Sequence, residues 1–416
     1  MLTLRLAEHV AAIRWETLPQ AVRKKTEEIL LDALACELAG RRTDTYRGLR
    51  AATERIGDNG ASTRVWQCGA AIHALEFDDA HKRSKTHPAA TVIPAVREAA
   101  IMAGASGPHG LASIVAGYEA MLRIGIAVGA AAHRRAGWHA TCTTGAIGAA
   151  VGAAHAMRLE APLVAEAIGH AVSMLGGNFA FYEEGASSKP LQVGNAARVG
   201  FLSAVLAAEG LRGSRSALET RDGGYFALFG GDPDRVFDDF DKFLIEEVAF
   251  KPYPCCRTVQ AGIDGALELR PRYAGGPVHV RTFAIAIEQN GFYAEGNAVR
   301  APFSLPYIIA AALADGRVDL ETFTPQRIAA LGDTERLVTW SIDPELDARY
   351  PIDWPAEVEI DGARPVRVDI ASGDPRHPMS SDRWIAKLKT CAGSEEAAAQ
   401  LREQVSAMAS LQPVGM

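Results

Sequence analysis

GWHATCTTGAIGAAVGAA, residues 137–154, carries Gly145, Gly148 and Gly152 with Ala149 and Ala153 among them, small residues recurring every three or four positions. That spacing sets them along one helix face, where the backbone of a neighbouring helix can approach closely. We read the segment as a buried central helix. A fold organised around it packs helices tightly with little aromatic filling, and aromatics are only 7% of the chain while hydrophobic residues reach 48%. Just before the helix stand His139 and the hydroxyls of Thr141, Thr143 and Thr144. Free N–H groups and the dipole make a helix start hospitable to anions, although plain capping uses the same residues.

Working outward, the helical pattern fills the chain to about residue 250. The N-terminus intersperses Arg5, Glu8, His9 and Arg14 with apolar residues, as an amphipathic helix and not a signal peptide does. Thr17 and Pro19 open a helix whose apolar positions Val22, Ile29, Leu30, Ala33, Leu34 and Leu38 keep a 3.6 period until Gly40. Pro162 opens another, and Asn195 is placed to cap one running to Gly210. Beyond 250 the period shifts toward two. Phe283, Ile285 and Ile287 alternate with other residues, as do Val358 and Ile360, then Val366, Val368 and Ile370, with Asp361-Gly362 in the turn between the last two runs. Helical patterns return at Tyr307–Leu313 and from Ser380 to Met408. The expected fold is mainly α with a second α+β domain. With 416 residues, two domains are the natural division: 1–250 all-helical, completed by about 378–416, and 251–377 α+β.

The net charge of -7 and the lack of any long Lys/Arg run argue against nucleic acid as a partner. Six cysteines without a C-x-x-C pair argue against a disulfide framework or structural zinc. No uncharged apolar run reaches the roughly 18 residues of a membrane span, and the cytoplasm is the default location.

Five segments hold residues suited to chemistry. HALEFDDAHKRSKTHPAATVIP, from His73 to Pro94, crowds Glu76, Asp78, Asp79, His81, Lys82, Arg83, Lys85 and His87 together. On composition alone such a run is a solvated loop. A metal site on its His and Asp residues lacks the helical ligand spacing that would support it, so no metal is expected. His139 in the deciding stretch is, taken alone, more often a satisfied structural histidine. Lys189 precedes Pro190 in a polar turn before a helix, and Lys251 lies beside two prolines ahead of Cys255, Cys256 and Arg257. Tyr307 begins an apolar helix, where its hydroxyl needs a partner if buried. Together, two histidines, two lysines and a tyrosine, each at a turn or helix start, could hold carboxylates and exchange a carbon-bound proton without a metal. No Rossmann, Walker, G-x-S-x-G or H-E-x-x-H signature offers a rival chemistry.

The same segments resemble the MmgE/PrpD family, whose members include 2-methylcitrate dehydratase, cis-aconitate decarboxylase and iminodisuccinate epimerase. LPQAVRKKTEEILLDALACELAG, HALEFDDAH, THPAATVIPA, the 137–154 stretch, KPLQVGNAARVG, FKPYPCCR, FSLPYIIAAALADG and HPMSSDRWIAK carry the likeness in order along nearly the whole chain. The resemblance implies a large all-helical domain with a smaller α+β lid, a homodimer, no organic cofactor, and an interdomain cleft for a small polycarboxylate. It implies His87, His139, Lys189, Lys251 and Tyr307 as the catalytic set, with Glu76, Asp79, Lys85, Thr141, Gln192, Arg257 and Gln260 around the substrate. It also implies a carbon-oxygen lyase working by proton abstraction α to a carboxylate and β-elimination, with epimerisation or decarboxylation as the alternatives. A metallohydrolase using Asp79, His81 and His87, or a non-catalytic relative, are the rivals from other classes. Glu76, Ala80, Gln192 and Gln260 stand where relatives usually carry Asp, Thr, His and His.

Overall fold

The computed structural model describes residues 1–410; the last residues of the expected C-terminal segment, 411–416, lie outside them. The deciding stretch forms the helix Gly145–Ala156, every residue of which is buried. Small residues line more than the single face expected. A Cβ on Gly148 would sit 2.6 Å from the Met121 Cβ and 2.8 Å from the Gly117 carbonyl oxygen, so the helix Gly107–Ala127 rests directly against the central backbone. On another side, a Cβ on Gly200 would meet the Ala149 Cβ at 2.4 Å and the Ala146 carbonyl oxygen at 2.5 Å, which brings in Ser188–Ala208. Ala89–Ala103 and Ala161–Met174 complete the surround. The two long apolar helices Gly107–Ala127 and Ser188–Ala208 are thus accounted for by packing against this centre.

Two C-terminal helices, Ser381–Ala392 and Glu395–Ser410, fold back onto Gln20–Gly40. The pattern from Ser380 to Met408 therefore breaks once, at Gly393, whose φ of +92° a side chain would disfavour. Leu388, Cys391, Ala398 and Val405 join the helical core. The buried Lys387 reaches Asp32 Oδ1 at 2.5 Å and the Phe77 carbonyl at 2.7 Å.

A second hydrophobic cluster gathers residues from Tyr253 to Ile360. Its four-stranded sheet runs in the order β2-β1-β3-β4, with β1 Val278–Thr282, β2 Val338–Ile342, β3 Ala356–Ile360 and β4 Val366–Val368. β1 pairs parallel with β2 and antiparallel with β3, and β3–β4 is a hairpin turning at Asp361-Gly362. Gln260–Leu269 and Leu305–Asp315 pack around the sheet.

Two local expectations fail. Phe283, Ile285 and Ile287 belong not to a strand but to the start of the helix Ala284–Asn290. The Asp347 carboxylate accepts the Ala284 N–H at 2.9 Å and caps that first turn, and the i, i+4 pair Phe283/Ile287 fits a helix as well as alternation fits a strand. Asn195 caps nothing. Its helix begins at Ser188, with Pro190 in the first turn where a missing N–H costs no hydrogen bond, so Lys189 and Gln192 ride on the helix itself.

Candidate active site

The charged loop after His73 is interior, not solvated: Asp78, Asp79 and His81 are almost wholly buried. Backbone hydrogen bonds between Ala80 and Ala249, 2.9 and 2.8 Å, stitch it to the segment leading into Lys251, and His81 N–H to the Thr86 carbonyl closes its tip. Burying so many charges requires partners. Lys189 and Glu76 form a buried ion pair. Lys251 is fully buried, donating to the Glu76 carbonyl at 3.0 Å with its ammonium 3.6 Å from Glu76 Oε2 and 3.9 Å from Asp78 Oδ1. Burial alone would raise the Glu76 carboxyl, but the Lys189 and Lys251 ammoniums outweigh it and hold the group at about 2.

A cavity of about 100 Å³ opens beside these pairs. Glu76, Lys85, His87, His139 and Lys189 reach it from the helical body, and Arg257, Gln289 and Trp354 from the α+β unit. His87 donates Nδ1–H to the Asp79 carbonyl at 2.7 Å, leaving Nε2 with its lone pair. His139 is held the opposite way. The Gln192 side chain accepts from Asn178 N–H at 3.0 Å through Oε1, so its Nε2 amide donates to His139 Nδ1 at 3.0 Å and the imidazole proton sits on Nε2. Burial and the nearby lysines keep both rings neutral, His87 falling to about 3 and His139 falling as well.

Other expected residues serve the site from behind. Thr141 accepts the His87 backbone N–H at 3.3 Å. Asp79 accepts from the Tyr118 hydroxyl at 2.7 Å and Ala89 N–H at 3.1 Å, with its carboxyl pushed up to about 8 by burial and the adjacent Asp78. Gln260 accepts from Arg257 at 2.6 Å and donates to the Tyr253 carbonyl at 3.1 Å, so it braces Arg257 and does not face the cavity. Tyr307, of the expected catalytic set, stands apart from the cavity. It is fully buried in the second cluster, its hydroxyl spent on the Thr322 carbonyl, and it does not line the cavity. The phenol that does is Tyr182, whose hydroxyl is buried without a hydrogen-bond partner among the described residues.

Tyr182 and Arg134 escaped the sequence reading, as did the pairing of His73 with Asp78. His73 donates Nδ1–H to Asp78 Oδ2 at 2.7 Å, and its ring centroid lies 5.0 Å from that of His87. His73, Asp78 and His87 offer ligand atoms within 4.8 Å of one another, a set that could in principle take a cation. The fit is poor: His73 Nδ1 and Asp78 Oδ2 are engaged with each other, and although His73 Nε2 and Asp78 Oδ1 are buried without a hydrogen-bond partner among the described residues, the Lys251 ammonium 3.9 Å from that oxygen repels a metal.

The MmgE/PrpD N-terminal domain matches residues 4–236 and the MmgE/PrpD C-terminal domain matches residues 253–411. This chain belongs to the MmgE/PrpD family. A cis-aconitate decarboxylase of Aspergillus terreus is 24% identical over 452 residues, 96% of this chain and 91% of the relative. A cis-aconitate decarboxylase-like protein of Aspergillus oryzae is 25% identical over 78% of this chain and 76% of its own length. The human cis-aconitate decarboxylase is 26% identical over 65% and 60%. In this MmgE/PrpD protein, His87, His139, Glu76 and Lys189 from the N-terminal match and Arg257, Gln289 and Trp354 from the C-terminal match line one cavity.

Proposed function

We propose that the chain is a cofactor-independent lyase that removes a proton α to a carboxylate of a small di- or tricarboxylate and expels the β-hydroxyl as water. The observation carrying this reading is the opposed pair of neutral imidazoles on one cavity. His87 presents a lone pair at Nε2 and His139 a proton at Nε2, so one is equipped as base and the other as acid without prior ionisation. The α C–H proton passes to His87 Nε2 and the C–H electron pair delocalises onto the carboxylate as an enediolate; that pair then forms the new double bond as the C–O bond breaks and His139 Nε2–H protonates the departing oxygen. Lys189 spends one N–H on Glu76 and keeps donors for the substrate carboxylate, whose enediolate-like charge they stabilise. Tyr182 is a second proton source at the same wall.

Decarboxylation is the second reading, favoured because the relatives above carry that name. There the carbanion left by departing carbon dioxide would take its proton from His139. Incubation of the protein with a β-hydroxy tricarboxylate and with an unsaturated one, followed by mass spectrometry, separates the two. Loss of water from the former supports the lyase as proposed, loss of carbon dioxide from the latter supports the second reading, and no change across a panel of both kinds defeats each of them.

A further inference from the structure

Where Glu76 and Lys189 line the cavity, with Lys251 and Asp78 buried behind them, the charge is balanced. Lys189 faces Glu76, and Lys251 lies between Glu76 and Asp78, so two ammoniums meet two carboxylates. Arg257 is occupied by Gln260 at 2.6 Å and the Ser372 carbonyl at 2.9 Å. A net anion gains little from these groups alone.

Two other cavity cations form no ion pair among the described residues. The Lys85 Nζ is shielded from solvent with no hydrogen-bond partner among the described residues, and it lies 5.0 Å from the centroid of the Tyr350 ring. The Arg134 guanidinium lies 3.7 Å from the centroid of Phe179 and 5.7 Å from that of Tyr182, and its Nε is likewise buried without a partner. Both side chains line the same cavity as His87 and His139. Lys85 is held there by construction, at a φ of +53° inside the loop closed by His81 and Thr86, a backbone conformation a lysine adopts only under constraint. Burial, with the repulsion of Arg134, pulls the Lys85 ammonium down to about 8, as expected of a cation awaiting an anion. A buried ionic group without a counter-charge is costly, and such sites are built where a ligand supplies the missing charge.

We propose that Lys85 and Arg134 form a second carboxylate subsite, so that the cavity selects acids carrying one carboxylate beside His87 and Lys189 and another that reaches this cation pair. This rests on the reading of the cavity as a polycarboxylate site. Arg134 supplies a planar fork stiffened by its aromatic neighbours, and Lys85 a movable point charge, a combination that fixes one end of the guest and tolerates some variation in its length.

The test is calorimetric binding to the full chain of matched acid pairs: acetate and malonate, propionate and succinate, butyrate and glutarate. The wild type is expected to bind at least one diacid tenfold or more tighter than its monoacid partner. Lys85→Gln and Arg134→Gln should each erase that preference while leaving monoacid affinity in place, and Arg134→Lys should retain most of it. Thermal unfolding of each variant verifies that it is folded. Variants that keep the diacid preference, or that weaken monoacid and diacid equally, overturn the subsite alone. A wild type that binds none of the acids overturns the polycarboxylate reading together with the subsite.

Discussion

An imidazole serves as base or acid according to whether its free nitrogen carries the proton, and here the partner of each Nδ1, an acceptor for His87 and a donor for His139, makes that choice. Replacing Gln192 with Glu puts an acceptor where a donor stood, draws the His139 proton to Nδ1 and strips it from Nε2. Turnover of Gln192→Glu is expected to fall by about 100-fold, the scale of one misplaced acid or base, with KM little changed; a fall in KM-dependent terms alone would contradict the tautomer assignment. Because His87 is held at about 3, log kcat/KM should show no break near 6.5. It should decline instead as pH rises through about 8, where Lys85 passes from charged to neutral. The positions of His87, His139, Lys85, Lys189 and Arg257 were legible because each sits in a motif at a turn or helix start. That Tyr307 and Gln260 lie off the cavity was not legible, because the partners that hold them, the Thr322 and Tyr253 carbonyls, are matters of tertiary packing. Tyr182 and Arg134 gave no local signal at all.

At the scale of the element, close approach explains the glycines. Gly200→Ala pushes a methyl into Ala149 and is expected to cost about 1–3 kcal/mol. Gly48, on the exposed side of the helix Asp44–Arg55 with nothing within 4 Å, is the matched control, and Gly48→Ala should gain about 0.5–1 kcal/mol. Urea midpoints of the pair check both signs. The central helix could be read from its own residues because small-residue spacing is a local property. The 283–287 segment could not, since three alternating apolar residues satisfy both periods and the deciding cap comes from Asp347, far along the chain.

Across the whole molecule, the C-terminal helices tie the helical core to the buried loop that follows His73. Lys387 pairs with Asp32 in full burial and also holds the Phe77 carbonyl, next to Asp78. Lys387→Met leaves Asp32 buried without a partner and is expected to cost about 3–5 kcal/mol in chemical denaturation. Turnover should drop as well, since the loop loses a brace. In the proposed reaction, the junction between the two matched domains withdraws a proton from carbon next to a carboxylate. Proton NMR of candidate polycarboxylates in deuterated water with the enzyme present tests it most directly. Deuterium should enter the α position, or the derived product, with the wild type and not with folded His87→Asn; no incorporation into any such acid, or equal incorporation with the variant, would contradict it.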